Sequence, residues 1–378
     1  MTNGNDLPEI AHAEGSLAYA SDGRRFIDLM MGFGAVFLGH THPRITRRLQ
    51  EQASKVWLSG RLPTAPAAEA EARIEELLPP ELKPGGLYST GSEVAEFALR
   101  LAVHHNGRRE FVGFARSMHG KSALSASLCW DNAPIRIDRA HIVPFVDQIS
   151  EDEILVRLAS LLKGGRIAAL FVEPIQGSNG GHEASNGFYD RVITLCRENG
   201  TCSVFDEILT GLYRTGRTFY VDHLDTRPDF LLFAKSMGNG FPVSSLAIPK
   251  DFHIGPETLP GSTFSGNPLA AAAAAATLGV MRDLALAEHV AAIERTVRDV
   301  FADRESEQVT LRGRGALWIL ELGPGINMLH ALGAIRASGV LVSSHGRHVR
   351  LTPAATIELG LLREACGKIV GALASAYA

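Results

Sequence analysis

DFLLFAKSMGNG, residues 229 to 240, runs from an apolar strand straight into a lysine and then into a glycine-rich loop. An unpaired ammonium among apolar side chains is costly or gives up its proton. A strand that ends on Lys235 therefore either lets the side chain snorkel to water or puts it to chemical use. Outward from this stretch, apolar runs of strand length alternate with amphipathic segments: IAALFVEP at 167 to 174, the helical GFYDRVITLCRENG, then CSVFDEI and FLLFAKS. That alternation predicts a parallel sheet covered by helices, an α/β fold. EVAEFALRLAVHHNG precedes it as a helix, and PLAAAAAAATLGVMRDLALAEHVAAIERTVRDVFADRE follows as a helical stretch long enough to link two domains. From about Val309 the pattern changes: LRGRGALWILEL, a short helix and GVLVSSHGRHVRLTP read as strand, helix, strand in a compact α+β unit. The expected division is an N-terminal segment over 1–45 packing with the small domain, a large domain over 46–268, and a C-terminal small domain over 269–378 that includes the linker helix.

The chain has 378 residues, 46% of them hydrophobic and 21% charged, which suffices for one large core and a smaller one. A net charge of −4 and the lack of a dense Lys/Arg block argue against nucleic acid or an anionic membrane as partner and favour small molecules. Cys129, Cys196, Cys202 and Cys366 form no C-x-x-C pair and are too sparse for a disulfide framework, so a reducing, cytoplasmic setting is expected. MTNGNDLPEIAHAEG carries no basic region followed by an apolar core, so no secretory signal is expected. The run FSGNPLAAAAAAATLGVM is mostly alanine and reads as a buried helix rather than a membrane span.

Three core strands finish on charges: IAALFVE on Glu173, CSVFD on Asp206 and FLLFAK on Lys235. Open parallel sheets bind ligands beyond the carboxyl ends of their strands, so the coincidence points to one shared site. In LYSTGSEVAEFALRLAV, Ser89, Thr90, Gly91 and Ser92 stand directly before a helix, with Thr90 and Glu93 at capping-box spacing. Such a helix end is either a plain cap or an anion site, because its free N–H groups carry partial positive charge. SMHGKS ends like a phosphate-binding P-loop, but Ala115 occupies the position where that loop needs glycine. The pairs His40 with His42, His104 with His105 and His345 with His348 lack a third ligand of matching spacing, so no metal is expected. A phosphate cradle, an aspartate and a lysine together suit pyridoxal 5′-phosphate. It needs a lysine for its Schiff base, an anion beside its pyridinium nitrogen and an anion-binding helix end.

At these residues the sequence resembles the class III aminotransferases, the group that includes ornithine and 4-aminobutyrate aminotransferases and glutamate-semialdehyde aminomutase. The resemblance runs almost end to end, through SDGRRFIDLMMGFGAVFLGHTHPRI, TGSEVAEFALRLA, HGKS, FVEPIQG, VFDEILTGLYRTG, AKSMGNGFPV, GSTFSGNPLA, LRGRGALW and VRLTP. It implies a pyridoxal-phosphate transferase of fold type I, with a large domain built on a mostly parallel sheet and a smaller α+β C-terminal domain. It implies a ping-pong aminotransferase acting on small amine and oxo substrates. An aminomutase, racemase or decarboxylase of the same fold is the alternative, and a nucleotide-binding protein or a catalytically silent homologue is more remote.

Residue by residue, the resemblance implies that Lys235 carries the cofactor and shuttles the proton, and that Asp206 pairs with the pyridine nitrogen. Ile208 would pack on one ring face and Met118 would face the other, with His119 beside it. Thr90, Gly91 and Ser92 would form the phosphate end, and Glu173 would join the network near Asp206. Thr263 would reach the phosphate in a partner subunit, which implies a homodimer with shared active sites. Arg350 matches an arginine that often grips a substrate carboxylate, and Phe33, Val36, Trp57 and Arg61 fall in segments that line the pocket in relatives. The chain departs from the pattern at four positions. Met118 replaces an aromatic residue, Leu209 a glutamine that bonds the cofactor's phenolic oxygen, Ser178 a glutamate, and Ala354 a proline.

Overall fold

The computed structural model describes residues 7–60, 62–129, 133, 135–253, 255, 258, 261–302 and 308–376, so Arg61 lies outside the described residues. Strands β1 (Ile10–Glu14), β2 (Leu17–Ala20) and β3 (Arg25–Asp28) open the chain as an antiparallel meander. The large sheet follows, from β4 (Leu82–Tyr88), β5 (Glu110–Phe114), β6 (Ala140–Val143), β7 (Ile167–Val172), β8 (Cys202–Asp206), β9 (Phe230–Phe233) and β10 (Ser244–Pro249). Its order is β4-β10-β9-β8-β7-β5-β6. Neighbours from β9 through to β6 pair in parallel, and only β10 runs against both of its neighbours. Every residue of β7, β8 and β9 is buried, which explains why these strands read as unbroken apolar runs rather than as alternation.

The C-terminal part holds a four-stranded antiparallel sheet of β11 (Val309–Arg314), β12 (Leu317–Leu322), β14 (Ser343–His345) and β15 (His348–Leu351), in the order β11-β12-β15-β14. LRGRGALWILEL is thus a hairpin rather than one strand. It turns at Gly315, whose φ of 60° is a left-handed conformation that glycine adopts without strain. GVLVSSHGRHVRLTP likewise divides, because β13 (Val340–Leu341) leaves this sheet and pairs in parallel with β3.

The long alanine-rich stretch is two helices, Pro268–Asp283 and Leu286–Phe301, bent by 77°. The break has a physical reason. The first helix is buried on nearly every side, whereas the second buries a single stripe through Leu286, Val290, Ile293, Val297 and Phe301, and one straight rod cannot satisfy both surroundings. No single helix among the described residues is long and apolar enough to cross a membrane.

Arg214 joins the parts. It is fully buried, and its guanidinium donates to the carbonyls of Gly34 at 2.7 Å, Pro353 at 2.8 Å and Ala316 at 3.1 Å while lying 4.1 Å from the Phe37 ring centre. Burial, with the charge of Arg350 in second place, pulls its pKa down to about 9.

Candidate active site

β7, β8 and β9 are adjacent and parallel, so their carboxyl ends lie side by side and deliver the three ionisable groups together. Glu173 follows the last residue of β7, Asp206 is the last residue of β8, and Lys235 comes two residues after β9. Asp206 is buried. One carboxylate oxygen lies 2.9 Å from His119 Nδ1 and the other accepts the Ile208 N–H at 3.1 Å. His119 is buried too, with its backbone N–H donating to Cys129 Sγ at 3.0 Å and its ring edge-on to Phe171. Its Nε2 is a buried nitrogen with no hydrogen-bond partner. Glu173 accepts the Met118 N–H at 2.9 Å and the Gly177 N–H at 3.1 Å. Burial first, and the neighbouring negative charge of Asp206 second, raise its pKa to about 7.

Lys235 opens a single tight turn, Lys235–Gly238, directly after Ala234 in the uncommon conformation φ −154°, ψ −116°. Its ammonium has no hydrogen-bond or ion-pair partner among the described residues. Burial first, then the positive charge of Arg350, bring its pKa down to about 8 against the opposing pull of Asp206 and Glu173. An appreciable share of the side chain is therefore free amine near neutral pH, the form able to attack a carbonyl. The lysine at the end of the apolar run does not snorkel to solvent; it lines a cleft of about 330 Å³.

The same cleft holds Thr90, Gly91 and Ser92 at the start of the helix Gly91–Asn106, together with Met118, His119, Lys121 and Ile208. Thr90 Oγ1 accepts the Glu93 N–H at 3.2 Å, but the Glu93 carboxylate reaches back to the Ser89 N–H at 2.8 Å and not to that of Thr90. The capping box expected from the spacing is therefore shifted by one residue on its return arm. Gly91 is required by space: a Cβ there would meet Ile208 Cδ1 at 2.8 Å. In HGKS, the Lys121 N–H donates to Ser92 Oγ at 3.3 Å, so this segment forms a wall of the same cleft.

Arg350, on β15, is partly buried and donates from Nε to Ser343 Oγ at 3.2 Å and from Nη1 to the Gly177 carbonyl at 3.2 Å. No carboxylate stands within ion-pair distance of it among the described residues, and the Phe33 ring centre is 6.0 Å away. Leu209 is buried with its methyls in the space that side chains on Gly34 and Gly177 would need, at 3.0 and 2.3 Å from the respective Cβ positions. Thr263 is exposed and does not line this cleft.

The donor set suits pyridoxal phosphate. A helix N-terminus with a glycine in close quarters can take the phosphate, a carboxylate backed by a histidine can face a pyridine nitrogen, and a depressed lysine can take the aldehyde. The model of the aminotransferase class-III family matches residues 2–373.

The chain belongs to the class-III aminotransferases.

Among relatives of this class-III aminotransferase, an acetylornithine aminotransferase of Methanopyrus kandleri is 30% identical over 315 residues, covering 82% of this chain and 79% of its own. A 5-aminovalerate aminotransferase of Pseudomonas aeruginosa is 30% identical over 334 residues, covering 83% and 78%. The solved ornithine aminotransferase of Toxoplasma gondii, described with partial occupancy of PLP at its active site, superposes with a TM-score of 0.88 at 26% identity, covering 99% of this chain and 92% of that one. As a class-III aminotransferase the protein is a pyridoxal-phosphate-dependent enzyme.

Residue types alone did not reveal Gly177, whose N–H serves Glu173 and whose carbonyl serves Arg350, or Cys129 beneath His119. Both contacts use backbone groups, which leave no signature in the sequence.

Proposed function

We propose that this aminotransferase moves the terminal amino group of a short aliphatic amine that also carries a carboxylate, passing it to an aldehyde or keto acceptor. The observation that carries the reading is Arg350. This partly buried guanidinium is oriented by Ser343 and Gly177, has no carboxylate of its own among the described residues, and is close enough to Lys235 to depress its pKa. A planar fork of this kind takes a carboxylate in a bidentate pair. The names of the two relatives and of the solved neighbour support the class, since each refers to an amine at the end of a carbon chain with a carboxylate some atoms away.

In this reading Gly91 and Ser92, capped by Thr90, hold the cofactor phosphate, and Met118 and Ile208 flank the ring. Asp206, bonded to His119 and to the Ile208 N–H, faces the ring nitrogen, while Glu173 anchors the Met118 backbone. Bound there, pyridoxal phosphate supplies an electron sink for charge that develops on the substrate carbon. Lys235 would hold it by its amine, give way to the substrate amine, and carry the proton from the amine-bearing carbon of the substrate to the carbon that bore the cofactor's aldehyde. We further propose a homodimer in which Thr263 serves the second copy's phosphate. The support is that Thr263 is exposed beside Phe264, and that Trp57 and Leu62 are also exposed. The setting we propose is the cytoplasm, on the strength of four buried, unbridged cysteines.

The test is the visible absorption of the holoenzyme before and after addition of terminal amino acids and of matched amines lacking the carboxylate, followed by product analysis with an oxo-acid acceptor. Preference for the carboxylate-bearing donors, lost in Arg350→Met, is expected. Equal reaction of the carboxylate-free amines would overturn the substrate assignment. An isomerised, racemised or decarboxylated product with no new amine would favour the alternative chemistries instead.

A further inference from the structure

The turn that carries Lys235 ends on Asn239, and this residue has a role that neither the family pattern nor the proposed reaction assigns. Its backbone is left-handed, with φ 45° and ψ 46°, a conformation that residues with a Cβ rarely adopt and that asparagine tolerates better than most. Its side chain makes two hydrogen bonds to one stretch of backbone about two hundred residues away. Oδ1 accepts the Leu38 N–H at 2.7 Å and Nδ2 donates to the Gly39 carbonyl at 2.9 Å. The amide thus pairs with the main chain as another peptide group would. Next to it, Gly240 lies against Val36. The segment so gripped is itself held down. The Phe37 carbonyl accepts the Ala355 N–H at 2.7 Å and the Leu38 carbonyl accepts from Thr356 Oγ1 at 3.1 Å, a few residues after Arg350 on the chain. Ala35 on one side and residues 240–243 on the other both line the cleft, so Asn239 clamps two of its walls together at the root of the lysine turn.

We propose that Asn239 is a positioning residue that fixes the Lys235 amine relative to the substrate-side wall of the cleft. The proposal rests on the reading of Lys235 as the reactive amine. It acts through the lysine backbone rather than on the cofactor's phosphate or ring nitrogen, whose partners Gly91, Ser92 and Asp206 it does not touch. Backbone strain next to a reacting group persists only where surrounding bonds over-determine it, and here the two amide bonds do so.

Asn239→Gly separates the clamp from the strain, because glycine adopts the left-handed backbone freely and lacks the amide. In this variant, deuterium exchange in the peptide covering residues 36–40 should accelerate by ~10-fold or more, since the Leu38 N–H loses its partner. Condensation of pyridoxal phosphate with Lys235 in the apo protein, followed by visible absorbance, should slow ~10-fold while the affinity for cofactor stays within ~3-fold. With a competent donor, kcat should fall ~10- to 100-fold at little-changed KM. Asn239→Asp, which keeps the acceptor for Leu38 but faces the Gly39 carbonyl with a carboxylate, should fall between wild type and the glycine variant, and it carries the test if the glycine variant does not fold. Faster exchange with condensation and kcat within ~2-fold of wild type would overturn the proposal. So would unchanged exchange, or a loss of cofactor affinity that accounts for the lost activity. If wild type fails to transaminate the proposed donors, the exchange and condensation measurements still decide the role of Asn239, so the two failures are told apart.

Discussion

His119 Nδ1 stands 2.9 Å from Asp206 Oδ2, and solvent reaches neither side chain. Among the described residues, the other hydrogen bond to this carboxylate comes from the Ile208 N–H at 3.1 Å. Removing the ring in His119→Ala takes away a charge-assisted bond worth about 1.5–3 kcal/mol. Cofactor affinity, measured by absorbance titration, should fall ~10- to 100-fold. Asp206→Ala should lose more, because nothing then holds the proton on the ring nitrogen. Wild-type affinity in His119→Ala would show that the pair is only a packing contact.

Lys235 gives a pH dependence opposite in sign to that of a lysine with an acidic partner. Its folded pKa, about 8, lies below the ordinary 10.5 because of burial and then the charge of Arg350. Between these values the unfolded chain keeps a proton that the native apo protein has released, so stability rises with pH across that window. The destabilising contribution is fully present below pH 8 and is relieved toward pH 10.5. Lys235→Met apo protein should therefore exceed wild type in denaturant midpoint below pH 8, with the gap closing as pH rises. The rate of condensation with pyridoxal phosphate should climb with a midpoint near the lysine's folded pKa. Arg350→Met should move that midpoint upward.

Lys235→Ala should abolish turnover while retaining reversible cofactor binding through the phosphate and ring-nitrogen contacts. Borohydride treatment followed by peptide mass analysis should then find no label at position 235.

Met118 lines the cleft and offers only a thioether to a flat ring bound there. Met118→Phe should tighten cofactor binding by ~2- to 10-fold, the range of one added aromatic stack. Equilibrium dialysis is the measurement, and weaker binding would mean that Met118 does not face the ring.

Gly177 has no room for a side chain: a Cβ would meet Leu209 Cδ2 at 2.3 Å. Gly177→Ala should cost about 1–3 kcal/mol through overpacking, read as a lower denaturant midpoint. Because Gly177 bonds both Glu173 and Arg350, selectivity for carboxylate-bearing donors should decline as well. Gly91→Ala, which displaces Ile208 from 2.8 Å, should instead weaken the cofactor alone.

Much of the fold and site was legible from residue order. Buried parallel strands are apolar throughout, so IAALFV, CSVF and FLLF announced themselves, and the charge at each strand end stood out against that background. The helix cap at Thr90 was readable for a similar reason, since capping is a local exchange between near neighbours. The bend between Asp283 and Leu286 was not, because helix propensity on either side is high and only the shape of the surrounding core forbids a straight rod.

By itself the sequence determined which groups exist and at which strand ends they emerge: an amine, two carboxylates and a helix N-terminus. Only the tertiary structure decided their partners. His119 is 87 residues from Asp206, Gly177 is 173 from Arg350, and Asn239 is 201 from Leu38. Local periodicity records how a segment meets the core, whereas these pairings follow from how distant segments pack, and two of the three use backbone groups that every residue carries alike.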